Sequence, residues 1–348
     1  GVNHNGDPGL ALDLVDVASD AGADAVKFQT FRPEEVISKN APKADYQTKT
    51  TGAKESQLEM ARNLALSEDD FAAIAAHCSE TEIQFLSTPF DFFSMDFLVY
   101  NLGLTTLKLP SGEITNAPYL LRAARTGNKI IMSTGMSAME EVKTALSVLA
   151  FGYGNPSEPP KMDAFKRAFA SRGGQAALKE KVTLLHCTTE YPTPFSDVNL
   201  KAMDSLRDAF GLAVGLSDHT SGIAVPLAAA ARGAPIIEKH FTLDRHMPGP
   251  DHKASLEPKE LKAMVDGVRA IEQALGDGEK VPAPSEIKNI AIARRSLVAQ
   301  TDIKEGEAFS EENLCVKRPG TGVSPMRYWE WLGRTATRDY DADELINE

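Results

Sequence analysis

The chain has 348 residues, 42% hydrophobic and 25% charged, the proportions of a globular protein with a large core and room for a small second domain. Its 37 basic and 49 acidic residues leave a net charge of −12, which argues against broad attraction to nucleic acid or to anionic membrane. No apolar run approaches the ~20 residues that span a bilayer and no signal-peptide pattern is present; the odd, widely spaced set Cys78, Cys187 and Cys315 fits a reducing cytoplasm better than a disulfide framework.

The opening segment, Gly1-Val2-Asn3-His4-Asn5-Gly6, reads as a loop that follows a strand, so the expectation is a first strand lying before Gly1. Asp7 and Pro8 then open a helix that Gly22 closes. Apolar, β-rich runs recur at 24–29, 83–88, 105–109, 129–134, 182–188, 212–218 and 235–240. Helical stretches lie between them, one of them opened by a capping box of Ser137 and Glu140. Strict alternation of strand and helix gives parallel strands with right-handed crossovers, in a doubly wound sheet or an eightfold barrel. With the inferred first strand the seven runs become eight, and the expected fold is a (β/α)8 TIM barrel over residues 1–276. After a helix at 259–275 the polar stretch 277–289 reads as a linker. Runs at 296–299 and 314–318 then mark a β-rich second domain over 290–348, roughly 60 residues and too small to hold a substantial enzyme site alone.

In a barrel of this kind chemistry collects at the carboxyl ends of the strands. There the chain places Lys27 and Gln29, Thr88, Lys108, Ser111 and Glu113, Ser133, Thr189 and Tyr191, Ser217 and Asp218, and Glu238 and His240. Lysines inside apolar strands need anionic partners, so Lys27 and Lys108 face either structural carboxylates or a bound anion. With the hydroxyls of Thr88, Ser111, Ser133 and Ser217, and Gly112 and Gly135 at the turns, the set reads as a phosphate cradle.

His219 and His240 each end a short strand, and successive parallel strands bring such imidazoles about 5 Å apart, a separation a divalent metal bridges. Two imidazoles leave most of the coordination sphere to water or substrate. Glu238 and His240 share one face of their strand while Lys239 takes the other. Asp218 or Glu238 is expected to orient an imidazole from behind. Imidazole with oxygen donors suits Mn, Co or Zn, and an octahedral Mn or Mg site where substrate and waters supply oxygens. His4 is either a site residue or part of its loop, His77 reads as structural, and His246 and His252 are expected at the surface.

Taken in order, Lys27-Phe28-Gln29-Thr30, Ser87-Thr88-Pro89-Phe90, Pro110-Ser111-Gly112-Glu113, Ser133-Thr134-Gly135-Met136, Tyr191-Pro192-Thr193-Pro194, Gly215-Leu216-Ser217-Asp218-His219, Glu238-Lys239-His240-Phe241-Thr242 and Pro248-Gly249-Pro250-Asp251-His252 resemble the bacterial sialic acid synthases. Lys317-Arg318-Pro319-Gly320 does as well. The resemblance implies a phosphoenolpyruvate-condensing barrel followed by an antifreeze-like SAF domain. It implies condensation of phosphoenolpyruvate with N-acetylmannosamine to N-acetylneuraminate and phosphate. On matching positions His219 and His240 correspond to ligands of Mn2+ (or Mg2+ or Co2+), and Lys27, Thr88, Lys108, Ser111, Ser133 and Ser217 to phosphoenolpyruvate contacts. Thr189 stands at a further phosphoenolpyruvate contact, where some members have asparagine. Gln29, Glu113, Tyr191 and Asp251 correspond to sugar contacts, with Glu113 the candidate for proton transfer. Arg318 resembles an arginine that one subunit's C-terminal domain offers to the sugar in its partner's barrel, which implies a swapped homodimer.

The nearest alternative is legionaminate or pseudaminate synthesis from a diacetamido-trideoxy hexose, with the segment 41–57, including Tyr46 and Gln47, expected to carry that choice. A non-catalytic sugar-binding protein and a divalent-metal aldolase acting on a preformed keto sugar are the rivals from other classes.

Overall fold

The computed structural model describes residues 1–44, 48, 56–155 and 157–348. They divide into two units, Gly1–Gly276 and Asp277–Glu348. In the first, seven strands are described: β1 (Ala25–Thr30), β2 (Gln84–Pro89), β3 (Thr106–Leu109), β4 (Lys129–Ser133), β5 (Val182–Cys187), β6 (Ala213–Asp218) and β7 (Ile237–Lys239). All pairings are parallel, β1 with β2 and β3 through β7 in chain order, and helix separates each strand from the next. These two parallel sheets, one of two strands and one of five, make up the curved strand layer with outer helices that the alternating pattern calls for. The N-terminal residues tie its two ends together: the Gly1 amine donates to Lys27 O (2.6 Å), and Asn3 Nδ2 donates to Phe241 O (2.7 Å).

Burial decides which strand residues face the barrel axis. Val26 and Phe28 of β1 pack outward against Ala11, Val15 and Ala18 of the helix Pro8–Asp20 and against Phe71 and Ile74 of the helix Glu68–Glu80. Because side chains alternate along a strand, Lys27 and Gln29 then point inward. Leu107, Leu109, Ile130 and Met132 likewise join the outer core with Tyr119, Leu146 and Leu149, which turns Lys108 and Ser133 toward the axis. Inward positions are tight. A Cβ on Gly215 would lie 2.3 Å from Ile236 O and 2.8 Å from Leu185 Cδ2, so only glycine lets β6 sit against its neighbours here.

Local capping follows the sequence with one change. Asp7 Oδ1 accepts from Gly9 N (2.8 Å) at the start of the first helix. The helix Met139–Gly154, however, is capped one residue later than Ser137 and Glu140 would place it. Ala138 N donates to Glu141 Oε2 (2.8 Å), because the Ser137 hydroxyl is engaged with Gly135 O (3.2 Å).

In the second unit the expected linker 277–289 is helical from Pro284 onward. Pro284 takes a first-turn position and Ala283 N donates to Glu286 Oε2 (2.9 Å), giving the helix Pro284–Ala293. Beyond it β8 (Ser296–Ala299) pairs antiparallel with β9 (Leu314–Lys317) over a core of Leu297, Ile303, Phe309, Trp331, Tyr340 and Ile346.

Gly215→Ala is expected to destabilise the first unit by about 2–3 kcal/mol, since the backbone oxygen of Ile236 cannot yield as a flexible side chain would. Urea unfolding of the variant measures this, and an unchanged midpoint would contradict the packing.

Candidate active site

The strand ends enclose a cavity of about 320 Å3. Lys27, Gln29, Thr88, Lys108, Ser111, Ser133, Thr189, Tyr191, Ser217, His219, His240 and Asp251 all line it. Two candidates stand elsewhere. Glu113 follows Ser111 in a 3-10 turn, where its carboxylate accepts from Asn116 Nδ2 (2.6 Å), and it is not among the lining residues. Arg318 belongs to the second unit and its Nε donates to Ala293 O (3.0 Å). Tyr46 and Gln47 lie outside the described residues. A second cavity, about 440 Å3, lies between β1, β7 and the outer helices and has a largely aliphatic lining. Lys27, Lys108, Glu238 and His240 border both cavities, whereas Thr88, Ser111, Ser133, Thr189, Ser217 and His219 line the smaller one.

The centre of the cradle is Glu238, which the sequence places on the inward face of β7. Its carboxylate stands 3.6 Å from Lys27 Nζ and 3.7 Å from Lys108 Nζ, and accepts from Ser217 Oγ at 3.3 Å. Cross-strand register makes this possible, since Cys187, Ser217 and Glu238 occupy one row across β5, β6 and β7. Lys108 Nζ also donates to Ser133 Oγ (2.8 Å). Burial pushes the Glu238 carboxyl up, but the charges of Lys108 and Lys27 outweigh it and hold the group below the usual carboxylate range. Burial lowers the Lys108 ammonium, against the pull of Glu238. Both expected lysine partners are therefore one carboxylate. Two ammoniums against one carboxylate leave an excess positive charge in a buried site, which suits an incoming anion.

Neutral donors surround this charge. Thr88 Oγ1 and Thr189 Oγ1 are buried without a hydrogen-bond partner, and both line the cavity. Buried hydroxyls left open in this way are expected where a ligand completes the network. Gly135 permits the crowding: its N–H donates to Ser111 Oγ (3.0 Å), and a Cβ there would come within 2.5 Å of Thr189 Oγ1.

The imidazoles stand beside the cradle. The ring centroids of His219 and His240 are 5.5 Å apart, with Tyr191 packed on both at 4.2 and 5.8 Å. His219 Nδ1 lies 2.7 Å from Thr188 O; with Nδ1 protonated to donate to that carbonyl, Nε2 keeps its lone pair for a metal. Burial lowers both imidazole pKa values, which favours the neutral form that binds metal. His240 Nδ1 lies 3.8 Å from Asp251 Oδ2, whose carboxyl burial raises. Among the described residues no group of three or more His, Cys, Asp and Glu could hold an ion, so a metal here would have the two imidazoles and take its other ligands from water or substrate. The donors fit a divalent cation that takes its other oxygens from water and substrate.

Asp218 does not orient an imidazole. It faces the outside of the sheet, pairs with Lys239 and accepts from Thr220 N (3.0 Å) and Oγ1 (2.9 Å). The carbonyl of Thr188 takes the orienting role for His219 instead. His252 is also not at the surface, being fully buried between Thr242 Oγ1 (2.7 Å) and Asn5 Oδ1 (3.0 Å), whereas His246 is exposed. His4 stays with its loop. Gly6 N donates to His4 Nδ1 (3.1 Å), and burial pushes the ring's pKa down to about 4. Cys187 lines the cavity as well, a residue whose sequence context carried no motif; burial raises its thiol pKa, which makes it a poor nucleophile.

A parallel barrel with an anion cradle and an open imidazole pair at its strand ends is the layout of a phosphoenolpyruvate-condensing synthase. The profile of the NeuB family matches residues 14–280 and that of the SAF domain matches residues 294–348. The chain is 53% identical over 348 residues to an N,N'-diacetyllegionaminic acid synthase of Campylobacter jejuni, covering 100% of this chain and 97% of that protein. It is 45% identical to the synthase of the same name from Legionella pneumophila, over 99% of this chain and 91% of that one. Among solved structures, the N-acetylneuraminic acid synthetase of Leptospira borgpetersenii superimposes with a TM-score of 0.66 at 33% identity, over 83% of this chain and 87% of that one. The chain belongs to the NeuB family and is a nonulosonate synthase, a phosphoenolpyruvate-dependent transferase that forms a carbon–carbon bond.

Because the cradle carries excess positive charge, inorganic phosphate is expected to stabilise the protein by about 1.4 kcal/mol at ten times its Kd. Lys108→Met should remove that thermal shift. An equal shift in the variant would contradict the cradle.

Proposed function

We propose that the protein condenses phosphoenolpyruvate with a 2,4-diacetamido-2,4,6-trideoxy mannose to give N,N'-diacetyllegionaminate and phosphate. The observation that carries the choice of acceptor is the 53% identity, spanning the whole chain, to a protein named for that product. Identity to the N-acetylneuraminic acid synthetase is 33%, so the sialic acid product expected from motifs alone yields to its alternative. Blocks such as Ser217-Asp218-His219 serve the chemistry that both products share, and for that reason they do not separate them.

In this reading Lys27, Lys108, Thr88, Thr189, Ser111 and Ser133 hold the phosphate and carboxylate of phosphoenolpyruvate. Ser217, bonded to Glu238, closes the floor of the site. His219 and His240 hold a divalent metal, Mn2+ in the first instance, which when bound polarises the acceptor's aldehyde oxygen. Tyr191 packs against both rings, edge to face with His240, and walls the acceptor in, and Gln29 and Asp251 contact its polar groups. C3 of the enol forms the new bond to C1 of the aldehyde, water adds at C2, and the C2–O bond to phosphate breaks. Glu238, held ionised by Lys27 and Lys108, is too weak a base to take the proton of that water and instead fixes the two lysines; the proton the water loses balances the one the aldehyde oxygen gains as its carbonyl bond opens. The resemblance further supports a swapped homodimer in the cytoplasm, in which Arg318 of one subunit reaches the acceptor in its partner.

Phosphate release tests this directly. Phosphoenolpyruvate and Mn2+ should yield phosphate only when an acceptor is added, and fastest with the diacetamido-trideoxy mannose; higher kcat/KM with N-acetylmannosamine or with the altrose-configured analogue would overturn the choice. His219→Ala and His240→Ala should each remove measurable turnover while phosphoenolpyruvate still raises the Tm. Turnover by the double variant after chelation would rule out the metal.

A further inference from the structure

The cavity has two unlike walls. One is the charged and hydroxylated set described above. The other is built from Phe31, Val36 and Ile37, which follow β1, and from the helix Gln57–Leu64. Of that helix Gln57, Met60, Ala61 and Leu64 line the cavity, a spacing of three, four and seven residues that puts them on one stripe. Glu59, Arg62 and Asn63 are exposed on its other faces. The stripe is fixed in place from both ends. Ser56 and Glu59 form a capping box, and Arg62 Nε pairs with Glu34 Oε1 (2.7 Å) on the short helix Pro33–Val36. Both segments of the wall are thereby joined to each other.

This division constrains how the acceptor lies. Its C1 must meet the enol beside the imidazoles and its neighbouring polar groups meet Gln29, Tyr191 and Asp251. The distal end of the sugar is then left with the aliphatic wall. A hydroxyl at C6 would meet Ile37, Ala61 or Leu64, with the more exposed Val36 at the edge, and none of these carries a side-chain hydrogen-bonding group to replace the water displaced. A methyl at C6, and the methyl of a second acetamido group, would instead be buried favourably. Gln57, at the start of the stripe, supplies one amide.

Resting on the reaction proposed above, we infer that the wall formed by Val36, Ile37 and the Ala61–Leu64 face of the helix Gln57–Leu64 reads the deoxygenated C6 of the acceptor and thereby sets its class. The wall selects by leaving a C6 hydroxyl without a partner. It does not take part in the bond-making step.

A pair of acceptors that differ at a single atom tests it: N-acetylmannosamine and its 6-deoxy analogue, alongside the full diacetamido-trideoxy sugar. In the wild type the 6-deoxy analogue should exceed N-acetylmannosamine in kcat/KM by up to roughly 10²-fold, the range an apolar pocket achieves against an added hydroxyl. Leu64→Gln and Ala61→Ser should each reduce that ratio about tenfold or more. The ratio is internal to each preparation, so a partly unfolded variant still reports it. Equal kcat/KM for the pair in the wild type, or an unchanged ratio in both variants, overturns the assignment of the wall while leaving the reaction in place. Failure of every acceptor to release phosphate removes the reaction itself, and the assignment with it.

Discussion

The site depends on one carboxylate holding two ammonium groups. Lys27, Lys108 and Glu238 come from β1, β3 and β7; the two lysines are turned inward because their strand neighbours pack outward, and Glu238 because Lys239 takes the opposite face to pair with Asp218. At an effective dielectric near 20, a unit pair at the observed 3.7 Å attracts by about 4 kcal/mol, enough to offset much of the desolvation of a buried lysine. Neither lysine is neutralised alone, however. The arrangement keeps positive charge in the barrel before any ligand arrives, and ligand charge can be accepted with little reorganisation. The rest of the cradle, from the open hydroxyls of Thr88 and Thr189 to the glycine at 135, is arranged around that excess.

Much of this was legible in the sequence because strands have a period of two. Lysine in an apolar run is costly enough to stand out, and two histidines at successive strand ends fix their own spacing. What escaped was set by contacts between distant residues. That Lys27 and Lys108 share Glu238 is a matter of cross-strand register. Asp218 and Glu238 looked equally able to orient an imidazole, but Lys239 and Thr220 take Asp218 on the outside of the sheet, and the backbone carbonyl of Thr188 carries no sequence signal as an acceptor. His252, expected at the surface in a loop rich in glycine and proline, is buried because Thr242 and Asn5 satisfy both ring nitrogens. The helix from Pro284 was hidden by the polar residues around it, although its proline and Glu286 are ordinary start signals.

The identity of the acceptor was the least legible property. Reaction chemistry concentrates at strand ends, where residue types are constrained by charge, whereas the wall proposed to read the class of sugar consists of ordinary aliphatic residues, Val36, Ile37, Ala61 and Leu64. Such a wall looks like core until a structure shows that it faces a cavity instead. Three functions therefore meet in one space: an anion cradle, an imidazole pair kept neutral by burial, and an apolar wall.

The crystal structure of the protein with phosphoenolpyruvate and Mn2+, with anomalous scattering used to locate the metal, tests the divided site most directly. The account predicts the phosphate on Lys27, Lys108 and Thr88, and the anomalous peak between His219 and His240 on their Nε2 side. Phosphate bound away from the two lysines, or a metal peak that does not touch both imidazoles, would contradict it.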